Sequence, residues 1–194
     1  MDQINTRRQL ETDLTELIRM LTRLGKMSEE SLTRSVWALK NQNAAVAREI
    51  INRDDAIDDL AAELDMACMQ FTARFQPLGE DLRAVSSIMH MAVDLERVGD
   101  YATNIAKAAI EVADKELMKP LIDIPRMVDI LSEMLEKTLE ALESKNEATA
   151  IRVFPLDDLI DDLEKQIMRE LLLLMMERPQ RIEQATLLLN RSEE

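Results

Sequence analysis

The apolar residues of this chain recur at helical spacing almost from the start. Leu10, Leu14, Leu17, Leu21 and Leu24 step by four and three, lining one face of a helix as the seam of a packed bundle. The stripe runs on towards Asn41, where the polar Asn41-Gln42-Asn43 breaks it. A second stripe, Ile50, Ile57, Ala61, Leu64, Cys68, Phe71 and Phe75, predicts one further helix. Pro77 closes it, because proline disfavours helical geometry in the residue before it. A third stripe begins near Glu80 and passes through Leu82, Val85, Met89 and Ala92 to Ile110, after which Pro120 and Pro125 mark a boundary between halves. Val128, Leu131, Leu135 and Leu139 then lie on a fourth helix, and a fifth runs from about Ala148 to Met176 before Pro179. Pro155 falls inside that fifth span and should kink it or mark its true start.

The halves also repeat at the residue level. Asp54-Asp55-Ala56-Ile57-Asp58-Asp59-Leu60 recurs as Asp157-Asp158-Leu159-Ile160-Asp161-Asp162-Leu163, 103 residues later and in the second helix of its half. The expected fold is therefore all-α, two tandem three-helix bundles over residues 1–118 and 119–194. From Glu80 the third helix has room for more than thirty residues, whereas a sixth starting near Pro179 has about fifteen before Glu194. The second bundle is thus expected to be cut short and less stable alone, with an apolar groove that a second copy of the chain fills as a homodimer.

Composition narrows the classes. Among 194 residues, 46% apolar content fills a core, and only 3 Gly and 5 Pro leave few turns, which again favours long helices. Net charge is −14, opposite in sign to the basic patches that nucleic acids and anionic membranes require. The longest apolar run, Leu171 to Met176, is far short of the ~20 residues of a spanning helix, and the N-terminus lacks a basic-then-apolar leader. A cytoplasmic protein is expected, reaching a membrane only through partners. Cys68 and His90 are the only cysteine and histidine, so disulfides, Cys/His zinc sites, His-based triads and paired Glu-x-x-His di-iron motifs are excluded within one chain. Carboxylate chemistry remains, or none.

Carboxylates interrupt the seams at matched heights. Stepping from Ile50 places Asp54 at a seam position, and the series Leu82, Val85, Met89, Ala92 continues to Glu96. A hairpin turning at Gln76-Pro77 sets Glu96 opposite residue 57 and Asp100 opposite residue 53, so Asp54, Asp55 and Asp58 approach Glu96 and Asp100. The first helix contributes Ser28, Ser31 and Ser35 at this level, small hydroxyls that leave room and supply hydrogen bonds. Clustered carboxylates repel one another and resist desolvation, so cations, protons or basic side chains must compensate. Two readings stand side by side. Asp54, Asp58, Glu96 and Asp100, with Asn104 a turn further on, suit a hard or borderline cation bound through oxygen. Alternatively they form a solvated face paired to Arg48, Arg53, Arg97 and Lys107. Asp55 and Asp59 look more solvated than Asp54 and Asp58.

The run Asp94-Leu95-Glu96-Arg97-Val98-Gly99-Asp100-Tyr101-Ala102-Thr103-Asn104-Ile105-Ala106 resembles the signature of the PhoU family of phosphate-uptake regulators, with Val98 the one conservative departure at the fixed positions. The resemblance extends along the chain, through Gln76-Pro77 with Asp81-Leu82-Arg83 and through both Ile-Asp-Asp-Leu segments. It implies a duplicated three-helix bundle in which Glu/Asp-x-x-x-Asp motifs bind multinuclear clusters, iron or zinc in some members. It also implies a non-enzymatic link between a phosphate ABC transporter, through its ATPase, and a membrane sensor histidine kinase, restraining uptake and the starvation response. The metal motif then falls on Glu96 and Asp100, with Arg97, Gly99 and Asn104 in support; manganese and magnesium are further oxygen-seeking candidates. A second Leu-Glu-Arg copy would begin after Glu194 and is absent.

Other residues read more plainly. Cys68 suits a small buried hydrophobe, His90 points away from Glu96, and the all-apolar Leu171 to Met176 fits burial on two sides. Trp37 suits core or interface equally. The competing function is a metal-independent scaffold or accessory domain of a phosphate or cation transporter, with a metallohydrolase a distant third. No Gly-rich loop precedes a helix to bind phosphate.

Overall fold

The computed structural model describes residues 2–115 and 121–177. It is all-helical there: α1 (Asp2–Lys40), α2 (Ala44–Ile51), α3 (Asp55–Phe75), α4 (Glu80–Glu111), α5 (Asp123–Ser144), α6 (Glu147–Ile151) and α7 (Phe154–Glu177). The expected sixth helix from Pro179, and with it the shortened end of the second bundle, lies outside the described residues. None of the described helices is long and apolar enough to cross a membrane.

Side chains set most boundaries. Gln42 takes a left-handed φ of 53° after α1, and Asn43 Oδ1 then caps α2 by accepting from the amides of Ala45 and Val46 at 3.1 Å. Gln76, at φ 46°, and Pro77 end α3. Glu80 and Asp81 lie in the first turn of α4, at its electropositive end. Pro125 stands at the opening of the second half, in the first turn of α5, where a missing amide proton costs little. Pro155, second residue of α7, marks that helix's true start.

The second stripe is two helices rather than one. Arg53 N bonds to Ile50 O at 3.0 Å and Ala56 N to Arg53 O at 3.1 Å, short-range turns that break the chain over Asn52-Arg53-Asp54. Asn and Asp compete with helical hydrogen bonds through their own side chains and favour such boundaries. The same split separates α6 from α7 in the repeat.

Two apolar clusters fill the interior, and they do not follow the halves of the sequence. One joins Leu10 to Leu24 of α1 with Leu60, Leu64, Cys68 and Phe71 of α3 and Val85, Ile88, Ala92 and Leu95 of α4, and takes in Leu139 of α5. The other joins the ends of α1 and α4 to α2, α5 and α7, through Leu39, Ile50, Ala109, Val128 and Ile167. Long α1 packs along long α4 and also touches α2, α3 and α5, so it is the spine of the molecule. At Gly25 an added Cβ would lie 2.8 Å from Leu139 Cδ1, which shows how closely α5 crosses α1. An apolar groove of about 420 Å³ lies between α1, α4 and α5, walled by Leu32, Val98 and Leu131. In the run from Leu171, Leu171 is buried whereas Leu172, Leu173 and Met176 are exposed, so α7 presents an apolar side to solvent there. Trp37 is half exposed.

Candidate functional site

Asp54 stands where α3 begins, yet its side chain does not cap the helix, and its backbone is already helical at φ −58°, ψ −46°. An Asp at such a position ordinarily turns back onto the second or third amide of the helix. Here Oδ1 is buried without a hydrogen-bond partner. Thr103 Oγ1, buried on α4, is likewise unpartnered; it is near enough to ease the Asp54 charge in part, without reaching hydrogen-bond geometry. Gly99 permits the approach. A Cβ there would lie 3.1 Å from Ile57 Cδ1 and Cγ2 and 3.7 Å from Asp54 Oδ1, wedging α4 away from the start of α3. The hairpin register expected from the sequence is thus met to within a helical turn.

The electrostatics identify the neighbours. Burial, foremost, raises the Asp54 carboxyl above the usual carboxylate range; the charges of Asp100 and Asp55 add to it, and Thr103 and Lys107 offset part. Asp58 is raised by burial first and then by Asp54, Asp100, Asp55 and Asp59. Glu96 is raised by burial, then by Asp100, Asp58 and Asp54, with a smaller offset from Arg97. Asp54, Asp58, Glu96 and Asp100 therefore form one mutually repelling group, spanning the start of α3 and the middle of α4. None of these carboxylates makes an ion pair among the described residues.

The supporting residues divide. Gly99 contributes close approach, and Asn104 is half-buried a turn beyond Asp100. Arg97 leans away: it sits 3.7 Å from Asp94 Oδ1, donates to Tyr101 Oη at 3.0 Å and covers that ring at 5.9 Å. Ser28 and Ser35 are buried but bond their own helix, to Leu24 O at 3.1 Å and Leu32 O at 2.8 Å, so these hydroxyls serve α1 instead of the carboxylates. Mid-helix serines return to nearby carbonyls whenever no better acceptor is in reach. The seam pattern does not mark Thr103; its signal is a hydroxyl one turn from Gly99 on the buried side of α4. Cys68 is a buried core residue and His90 is exposed. The repeat's Asp157, Asp158, Asp161 and Asp162 are exposed on α7.

The family resemblance implies a metal here, and the residues fit one in charge and atom type. All donors are oxygens, Lys107 and Arg97 offset only part of the group's charge, and the buried Asp54 Oδ1 is unpartnered. They are not a ready-made cage, since among the described residues no three carboxylate, imidazole or thiol groups are arranged to hold an ion.

The PhoU domain family matches residues 21–109 and 124–192. The chain belongs to the PhoU family. It is 34% identical over 173 residues to the phosphate-specific transport system accessory protein PhoU homolog of Aquifex aeolicus, covering 89% of this chain and 78% of that one. It is 35% identical over 182 residues to the homolog of the same name from Clostridium acetobutylicum, covering 93% and 83%. The crystal structure of PhoU from Pseudomonas aeruginosa superposes with a TM-score of 0.88 at 26% identity, over 94% of this chain and 88% of that one. The phosphate transport system regulatory protein PhoU from Streptococcus pneumoniae gives 0.81 at 27% identity, over 95% and 90%. The PhoU family is all-helical and non-enzymatic, and its domain occurs here twice in tandem.

Proposed function

We propose that this chain is a regulatory adaptor of phosphate transport, acting by protein contact on the cytoplasmic side of the membrane. Its partners are the ATPase of a phosphate ABC transporter and a sensor histidine kinase, and its effect is to restrain uptake and the phosphate-starvation response when phosphate is plentiful. The observation that carries this reading is membership of the PhoU family through both tandem domains, among relatives named as accessory proteins of phosphate-specific transport.

Asp54, Asp58, Glu96 and Asp100 would hold the metal of this reading, iron, zinc, manganese or magnesium, whose positive charge offsets their repulsion. The protein's own part is mechanical. Gly99 and Ile57 keep the start of α3 against α4, and the carboxylates register the spacing of the two helices. A change in their charge balance shifts that spacing and with it the outer surface of the α3–α4 hairpin, coupling site and surface as a shared free energy.

The test has two readouts. Elemental analysis of protein purified without chelator, beside Glu96→Ala/Asp100→Ala, should find metal in the wild type and its loss in the variant. Capture of the transporter ATPase and the kinase domain should weaken in the same variant. A wild type that stays empty after titration with iron, zinc, manganese and magnesium, yet captures both partners, would instead establish the metal-independent scaffold. That second reading is favoured by the lack of converging donors among the described residues.

A further inference from the structure

The outer face of the α3–α4 hairpin is apolar along its middle. On α4, Leu82, Met89 and Val93 succeed one another at intervals of seven and four residues, one helical side, and Glu96 and Asp100 continue that side into the carboxylate group. On α3, Asp58 leads to Ala62 and then to Met66 and Met69 along the matching side. Both stripes start at the carboxylate group, and α3 and α4 pack against each other as an antiparallel hairpin, so the stripes border the seam between the two helices, a shallow trough on the hairpin's outer face. Leu82, Val93, Met66 and Met69 are 43%, 59%, 53% and 45% exposed, which is unusual for a row of large apolar side chains. From Leu82 to Asp100 the α4 side is about 27 Å long.

Charge decides what fits this trough. The exposed surface of α3 carries Asp55, Asp58, Asp59, Glu63 and Asp65, none of them in an ion pair among the described residues. Its one basic residue, Arg74, is committed to Asp13 at 3.1 Å and stacks over Phe75. Methionines are adaptable, polarisable contacts for a helix laid into a groove, and surrounding carboxylates select a cationic one. A second copy of the chain is a poor occupant, because both copies would bring unpaired acids to the same seam.

We infer that this face is the docking surface for a basic amphipathic helix of a partner protein, apolar anchors into the trough and Lys or Arg against α3. The inference rests on the adaptor reading for who supplies the helix, but the surface itself is testable alone.

The probe is a synthetic helical peptide of about 18 residues, matched to the trough at 1.5 Å rise per residue, with Leu on one face and Lys on the other. Binding to the chelator-treated full chain is followed by titration calorimetry, beside a scrambled peptide of the same composition. The amphipathic peptide should bind at least about tenfold tighter than the scramble, since only it presents an apolar stripe. Met69→Ser/Val93→Ser should weaken it about tenfold, as should Asp59→Asn/Glu63→Gln/Asp65→Asn. Asp157→Asn/Asp161→Asn/Asp162→Asn, the same charge change on α7, should leave it unaltered. Equal binding of both peptides, or equal losses from the α3 and α7 variants, would reduce the effect to bulk charge and overturn the proposal. So would a dimer in sedimentation that Met69→Ser/Val93→Ser converts to monomer, which would give the trough to a second copy. Failure of the peptide leaves the adaptor role standing, because partner capture and metal content test that separately.

Discussion

Glu96 sits in mid-helix, half-buried, facing Asp100, Asp58 and Asp54, with no helix end to soften its charge. Its native pKa is raised above the unfolded value of about 4.3. The native state then holds the proton more tightly, so this group's contribution to stability is present below the unfolded pKa and lost as pH rises through the raised one. In chelator-treated protein, Glu96→Gln should therefore melt higher than wild type at pH 7, and the gap should close as pH falls towards 4; an equal or lower melting temperature at pH 7 would contradict the repulsion. Cys68 is raised for the same leading reason. Burial, aided by Asp65, pushes its thiol up to about 11, so at pH 8 it should react with a maleimide only as fast as the protein opens, and stability should fall as pH rises from about 9. Rapid stoichiometric labelling of the native chain would refute its placement in the core.

At the scale of elements, glycine marks the close crossings. Gly99 lets α4 meet the start of α3, and Gly25 lets α5 meet α1 through Leu139. Gly25→Val puts branched methyl groups where Leu139 already stands, and such overpacking costs about 1–3 kcal/mol. Urea denaturation should register that loss while circular dichroism shows unchanged helix content; an unaltered midpoint would mean that α5 has room to move. Helix ends were legible wherever a proline or an asparagine cap sets them, as at Asn43, Pro77 and Pro155. The break at Asn52-Arg53-Asp54 was not, because the apolar stripe passes through it in phase: Ile50 and Ile57 are both buried although they belong to different helices.

Over the whole molecule, a net charge of −14 is distributed unevenly, and the acids of α3 make no ion pair among the described residues. Like charges this close are screened once the Debye length drops from about 30 Å at 0.01 M salt to a few ångströms near 1 M. The melting temperature should accordingly rise with sodium chloride across that range, and rise less in Asp55→Asn/Asp59→Asn/Glu63→Gln; identical salt curves for the two proteins would place the repulsion elsewhere.

The sequence by itself determined the all-helical class, the tandem repeat, most helix ends and the meeting of Glu96 and Asp100 with Asp54 and Asp58. These follow from period, turn chemistry and hairpin register, all local along the chain. Tertiary structure alone decided that Asp54 turns from its own helix end towards α4, that Thr103 joins it, that the serines of α1 and Arg97 serve other partners, and that the apolar clusters mix the two halves. Each of those depends on which distant side chain arrives first at a shared space, and on what a glycine lets through, which no spacing within one helix can encode.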